Sequence, residues 1–149
     1  MIIKEALYNA CLEFVDNRLL TVNKAISDIQ YSLESETKSS AGDKHETGRA
    51  MLQLEREKAG HQLSEIENQK QILHKINIES KHNKVAFGSV VKTSTSNYFI
   101  AISAGEIMID NMSYYAISAA TPIAQLLLSK SVGDEIEFRD QKYIIETVL

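Results

Sequence analysis

The sequence predicts an α+β protein: a long antiparallel α-helical hairpin, a coiled coil, over residues 1–80, and a small domain of antiparallel β-sheet with one short helix over residues 81–149. Three observations predict it. The first is a heptad seam of Tyr8, Leu12, Val15, Leu19, Val22, Ile26, Ile29 and Leu33, apolar residues at alternating steps of four and three. The second is a weaker seam of the same kind further on. The third is a change to short β-rich segments after Lys84.

The first helix meets no Gly or Pro from Met1 to Ala41. A helix of about 35 residues would reach roughly 50 Å at 1.5 Å per residue. A narrow apolar stripe on so long a helix calls for a second helix along it. Residues 47–80 lack Pro and place Leu52, Ala59, Leu63, Ile66 and Leu73 on one approximate seam. Arg56 and Lys70 occupy two of its positions, and Ile72 and Ile76 drift from it, so a register slip is expected toward the base of the second helix. Gly60 costs that helix about 1 kcal/mol relative to Ala, which close helix approach would explain. The polar stretch Thr37–Glu46 has the composition of a turn and is short enough to make the helices antiparallel neighbours. Pairing of two molecules through the first seam is the alternative to a monomer.

Residues 76–84 read as a junction. Strands are then expected over Val85–Val91, Tyr98–Ser103, Glu106–Asp110, Tyr114–Ser118, Glu135–Arg139 and Lys142–Val148. Thr121 and Pro122 open a short helix to Leu128, Thr as N-cap and the single proline at the first helical position, where its missing N–H does no harm. Val132-Gly133-Asp134 turns the chain into a final hairpin across Asp140-Gln141.

Composition narrows the function classes. A net charge of −4 argues against gripping nucleic acid by bulk electrostatics, which needs a basic face. One cysteine, Cys11, allows no internal disulfide, and no apolar run of about 18 residues announces a membrane span. A cytoplasmic protein is expected. Cys11 falls one residue before the seam position Leu12 with no evident base beside it, so nucleophilic catalysis is not expected.

A hairpin with its own globular base can carry its end residues where a domain cannot enter. Those residues are Gly42-Asp43-Lys44-His45-Glu46-Thr47-Gly48-Arg49. Asp43 followed by Glu46 is in the first place a capping box, worth on the order of 1 kcal/mol to the second helix. A carboxylate bonded to a backbone N–H keeps lone pairs for a metal, so the two roles coexist. His45 could add a third ligand, whereas His61, His74 and His82 lack ligand spacing. Lys38, Lys44, Arg49, Arg56 and Lys58 sit near Glu55 and Glu57 and read as a solvated mixed face before an RNA-binding stripe.

Gly42, Asp43 and Glu46 also resemble the hairpin tip of the Gre-type transcript-cleavage factors, which carry Gly-Asp, two further residues and Glu. Lys84–Val91 looks like that family's first strand after the hairpin. Ile117-Ser118, Thr121-Pro122-Ile123-Ala124, Leu127-Leu128, Lys130 and Val132-Gly133-Asp134-Glu135 follow its pattern of a Pro-initiated helix and a Gly-Asp turn. The resemblance spans most of the chain in order.

It implies an FK506-binding-protein-like C-terminal domain docked on bacterial RNA polymerase around Thr121, Pro122 and Ile123, with the hairpin in the secondary channel. There Asp43 and Glu46 would help hold a second Mg²⁺ shared with the polymerase. In a two-metal site one ion activates water and the other stabilises the leaving oxygen, here in hydrolysis of backtracked RNA. The chain would hold no cofactor of its own, would not itself be an enzyme, and would meet nascent RNA only indirectly. Thr47, Gly48 and Arg49 depart from the family's pattern of Asn, a small residue and an acidic or aromatic continuation. That departure motivates an alternative, a channel-binding regulator without cleavage activity. A peptidyl-prolyl isomerase or chaperone is a third reading, weakened by the absence of Trp and the scarcity of Phe that such pockets use.

Overall fold

The computed structural model describes residues 2–38 and 43–149, with only the backbone given for 37, 38 and 43–45. Helix α1 spans Ile2–Lys38 and α2 spans Asp43–His74. Strands β1 (Val90–Thr93), β2 (Asn97–Ala101), β3 (Gly105–Ile109) and β4 (Met112–Ser118) follow, then helix α3 (Pro122–Leu127), then β5 (Glu135–Phe138) and β6 (Gln141–Val148). The architecture is the α+β class expected, with a pair of long N-terminal helices and a six-stranded sheet with one short helix. By contact the chain divides into two compact units, Val15–Gln69 and the combination of Met1–Phe14 with Lys70–Leu149. The division runs through both long helices, at 14/15 and 69/70, where the sequence suggested residue 80.

Within Val15–Gln69 the helices run antiparallel. Arg18 Nη1 donates to Gln69 Oε1, Arg49 Nη1 donates to the Leu33 carbonyl, and the Gly48 Cα faces the Glu36 carboxylate, so rising numbers on α1 meet falling numbers on α2. The seam is the one read from the heptads. Val15 and Val22 are buried on α1, with Leu19, Ile26, Ile29 and Leu33 half-buried; Ala59 and Ile66 are buried on α2, with Leu52, Arg56 and Leu63 half-buried between and before them.

Two expectations about these helices are corrected. The α2 register does not slip: Lys70 is half-buried and Leu73 fully buried at the next heptad positions. The slip lies on α1, where Lys4, Leu7 and Cys11 are the buried residues, not Tyr8 and Leu12, which are half-buried. From Lys4 to Val15 the steps are three, four and four, an eleven-residue spacing that relaxes the left-handed supercoil demanded by heptads. Close helix approach does not explain Gly60, because the one atom within 4 Å of an added Cβ is Arg56 Nη1 of the same helix, at 3.2 Å.

The sheet order is β3-β4-β2-β1-β6-β5. Every pair is antiparallel except β2 with β4, which are parallel, so the all-antiparallel expectation fails at one pair. The connection that makes them parallel is β3 itself, which pairs back onto β4 from the outer edge. Tight two-residue turns join β3 to β4 through Asp110 and Asn111, and β5 to β6 through Arg139 and Asp140, all four at positive φ as such hairpins require. The second turn therefore sits one residue earlier than expected.

The first strand is shorter than expected. Lys84 makes an isolated bridge to Ser131, and Val85 bonds to Lys130 and Ser129 rather than to a neighbouring strand. Ala86–Ser89 forms a turn closed by Ser89 N–H on the Ala86 carbonyl, with Gly88 at φ +90° and a Cβ site 3.3 Å from Ile76 Cγ2. Only glycine takes that backbone conformation without strain. Helix α3 presses Ala124 and Leu127 onto Val85, Val91, Ile100, Ile136 and Ile145, which form the core of this unit.

Candidate functional site

The acidic motif falls where α2 begins. Asp43 is the first residue of that helix, and Glu46, three residues on, stands exposed in its first turn. Gly42 lies outside the described residues, and of Asp43 and His45 only the backbone is described. Residues three apart on a helix share a face, and carboxylates in a first turn are favoured by the unbonded N–H groups there. The motif is thus held on a regular helix end within the hairpin unit.

Arg49 does not extend the acidic motif outward. Its guanidinium is half-buried and donates to the Leu33 carbonyl of α1 at 3.3 Å, which ties the second turn of α2 to the facing helix. Gly48 lies against α1 as well, with an added Cβ 3.8 Å from Glu36 Oε1, ordinary contact distance. Arg56 lines an open groove of about 480 Å³ with Ile26, Gln30, Tyr31 and Glu34. Of the five basic residues considered near the tip, Arg49 and Arg56 are therefore engaged inside the hairpin, Lys58 is exposed, and Lys38 and Lys44 have no described side chain. Among the described residues no group of three or more His, Cys, Asp or Glu is placed to hold a metal ion.

Cys11 is fully buried on α1, and desolvation pushes its thiol up to about 12, far from the thiolate a nucleophile needs.

The other sequence-derived site is the start of α3. Thr121 is its N-cap: Oγ1 accepts from Ala124 N–H at 3.4 Å and donates to the Ser118 carbonyl at 2.8 Å. That hydroxyl organises the helix start. Pro122 is exposed at the first helical position, and Ile123 is half-buried against the core. Leu126 and Val132, near this helix in the sequence, are apolar yet 38% and 60% exposed. Leu126 lines a shallow groove of about 280 Å³ with Leu128, Lys130, Glu135 and Glu137. Leu126 lies between Ala124 and Leu127, the buried pair three residues apart, and so turns away from the face they share.

No protein-family model and no curated protein matches this chain. Among solved structures, the crystal structure of the GreA factor homolog 1 protein of Thermus thermophilus is 16% identical, covers 95% of this chain and 94% of its own, and superposes with a TM-score of 0.34. A second structure, of the transcription factor Gfh1, is 17% identical over 95% of this chain and 92% of its own, with a TM-score of 0.33.

Proposed function

We propose that this chain is a transcription elongation factor that binds bacterial RNA polymerase in the cytoplasm, places the end of its helical hairpin in the secondary channel, and stimulates cleavage of backtracked RNA. The observation that carries the reading is the Gly42-Asp43-Lys44-His45-Glu46 motif with its Glu exposed in the first turn of α2. Support comes also from the succession of Thr121, Pro122 and Ile123 at the start of α3, where the Pro is exposed.

Asp43 and Glu46 offer hard oxygen donors, the kind Mg²⁺ takes, and two carboxylates leave most of its octahedral positions to water and to polymerase ligands. Such a shared ion would supply an activated water for phosphodiester hydrolysis. This chain's own part is to present the two carboxylates on one helix face and to keep that helix end fixed. The Arg49 bond to the Leu33 carbonyl serves the second task. The reading makes the polymerase the enzyme and this chain its stimulator, in contact with RNA only through that complex.

A second reading, occupation of the channel without cleavage, is favoured by one observation. Arg49 stands three residues after Glu46 and brings a positive charge to the turn following the acids. A pull-down with core polymerase, followed by assay of short 3′ RNA release from backtracked complexes, separates the two. Binding with release supports the first; binding without release, together with competition against a cleavage factor, selects the second; failure to bind refutes both.

A further inference from the structure

A pocket of about 310 Å³ lies wholly within the unit of Met1–Phe14 and Lys70–Leu149. Lys4, Ser80, Lys81, His82 and Asn83 form its polar wall, and Ile78, Val148 and Leu149 its apolar one. No Asp or Glu side chain lines it, although the protein as a whole carries a net charge of −4.

Lys4 is the unusual member. Its side chain is 2% exposed, yet the ammonium makes a single hydrogen bond, 2.8 Å to the Ser80 carbonyl. Among the described residues neither Lys4 nor Lys81 forms an ion pair. An ammonium has three donors, and burying it without a counter-charge is costly. The loss of water lowers its pKa, the direction an anion beside it would reverse. His82 adds a further donor. Its Nδ1 is 2.7 Å from Ser89 Oγ, a hydroxyl that also accepts from Ala86 N–H. With the hydroxyl proton given to Nδ1, the ring N–H lies on Nε2.

We infer that this pocket binds a small organic anion, its carboxylate or phosphate head on Lys4, Lys81 and His82 and its apolar part against Ile78, Val148 and Leu149. A tether between the start of α1 and residue 80 would use one donor of Lys4; the further donors of Lys81 and His82, with no Asp or Glu side chain in the lining, are what the tether leaves unexplained. The volume is at the low end of ligand sites, about 300 to 1,000 Å³, which restricts the ligand to a few carbons or one ring. The inference is independent of the hairpin and of polymerase binding.

The test is an NMR titration of the full-length chain with inorganic phosphate and, separately, with benzoate, against chloride at matched ionic strength. Saturable shifts at the amides of residues 78–83 and 148–149 are expected. Benzoate alone saturating identifies a carboxylate head with apolar contact; phosphate alone identifies a phosphate head. Lys81→Gln, an exposed change that leaves the fold alone, should weaken binding severalfold, and Lys4→Gln should weaken it about tenfold or more, as loss of a hydrogen bond to a charged partner does. No saturation with either anion, or equal binding by wild type and Lys81→Gln, overturns the inference whether or not Lys4→Gln folds.

Discussion

At the scale of single residues, burial decides which side chains can act. Cys11 is enclosed on α1, so its thiol should resist a disulfide reagent in the native protein and react only after denaturant is added. The pH dependence follows from the same burial. The folded thiol keeps its proton to about 12 while the unfolded one loses it near 9.0, so the native state binds more protons in that window. Stability should therefore be unaffected by this group below pH 9.0 and should fall as pH rises from there toward 12, and a Cys11→Ala variant should lack that component in urea titrations across alkaline pH. Lys4 shows the limit of reading single residues. A lysine at the fourth position of an amphipathic helix looks solvated in the sequence, and only the three-dimensional surroundings reveal it as enclosed with one carbonyl partner.

The heptads made most of the two long helices legible, because burial against a partner helix imposes the period directly. What they hid was the stretch from Lys4 to Val15, where the eleven-residue spacing places Leu7 and Cys11 inside and leaves Tyr8 half-exposed. Leu7→Ala and Leu73→Ala should each lower stability by about 2 to 5 kcal/mol, as buried truncations do. Leu20→Ser on the exposed face should change it by no more than about 0.5 kcal/mol. Chemical denaturation of the three variants checks the assignment, and similar losses at all three would contradict it.

Gly48 occupies the second turn of α2. It lies inside α2, its φ is not in the left-handed region, and an added Cβ would meet only Glu36 at ordinary contact distance. Gly48→Ala should therefore raise stability by about 0.5 to 1 kcal/mol, read from the denaturation midpoint. Unchanged or lower stability would show that the glycine is needed by the hairpin itself. In the sheet, the strands were legible from their β-branched and aromatic content. The turn at Ala86–Ser89 was not, because Val85, Ala86 and Phe87 continue the apolar pattern and only Gly88 marks the break. The parallel β2–β4 pair was hidden too, since which strands become neighbours depends on where β3 returns rather than on the residues of either strand.

For the molecule as a whole, the proposed role depends on two carboxylates borne by the first turn of α2 and on a partner that supplies the rest of the chemistry. The motif was visible in the sequence; its exposure at Glu46 and the inward turn of Arg49 were not, because both depend on what α1 brings opposite them. Thr121, Pro122 and Ile123, proposed for docking, were picked out by their order in the sequence. Thr121 caps α3, and the exposure of Leu126 and Val132 emerges in the folded unit.

The most direct measurement is the release of short 3′ RNA from backtracked polymerase complexes by wild-type protein and by the Asp43→Asn/Glu46→Gln double variant, with polymerase binding measured alongside. The account predicts release with the wild type and its reduction, by about ten- to a hundredfold for removal of groups that position a catalytic ion, in a variant that still binds. Equal release by the two proteins, or no release by a wild type bound to polymerase, would contradict it.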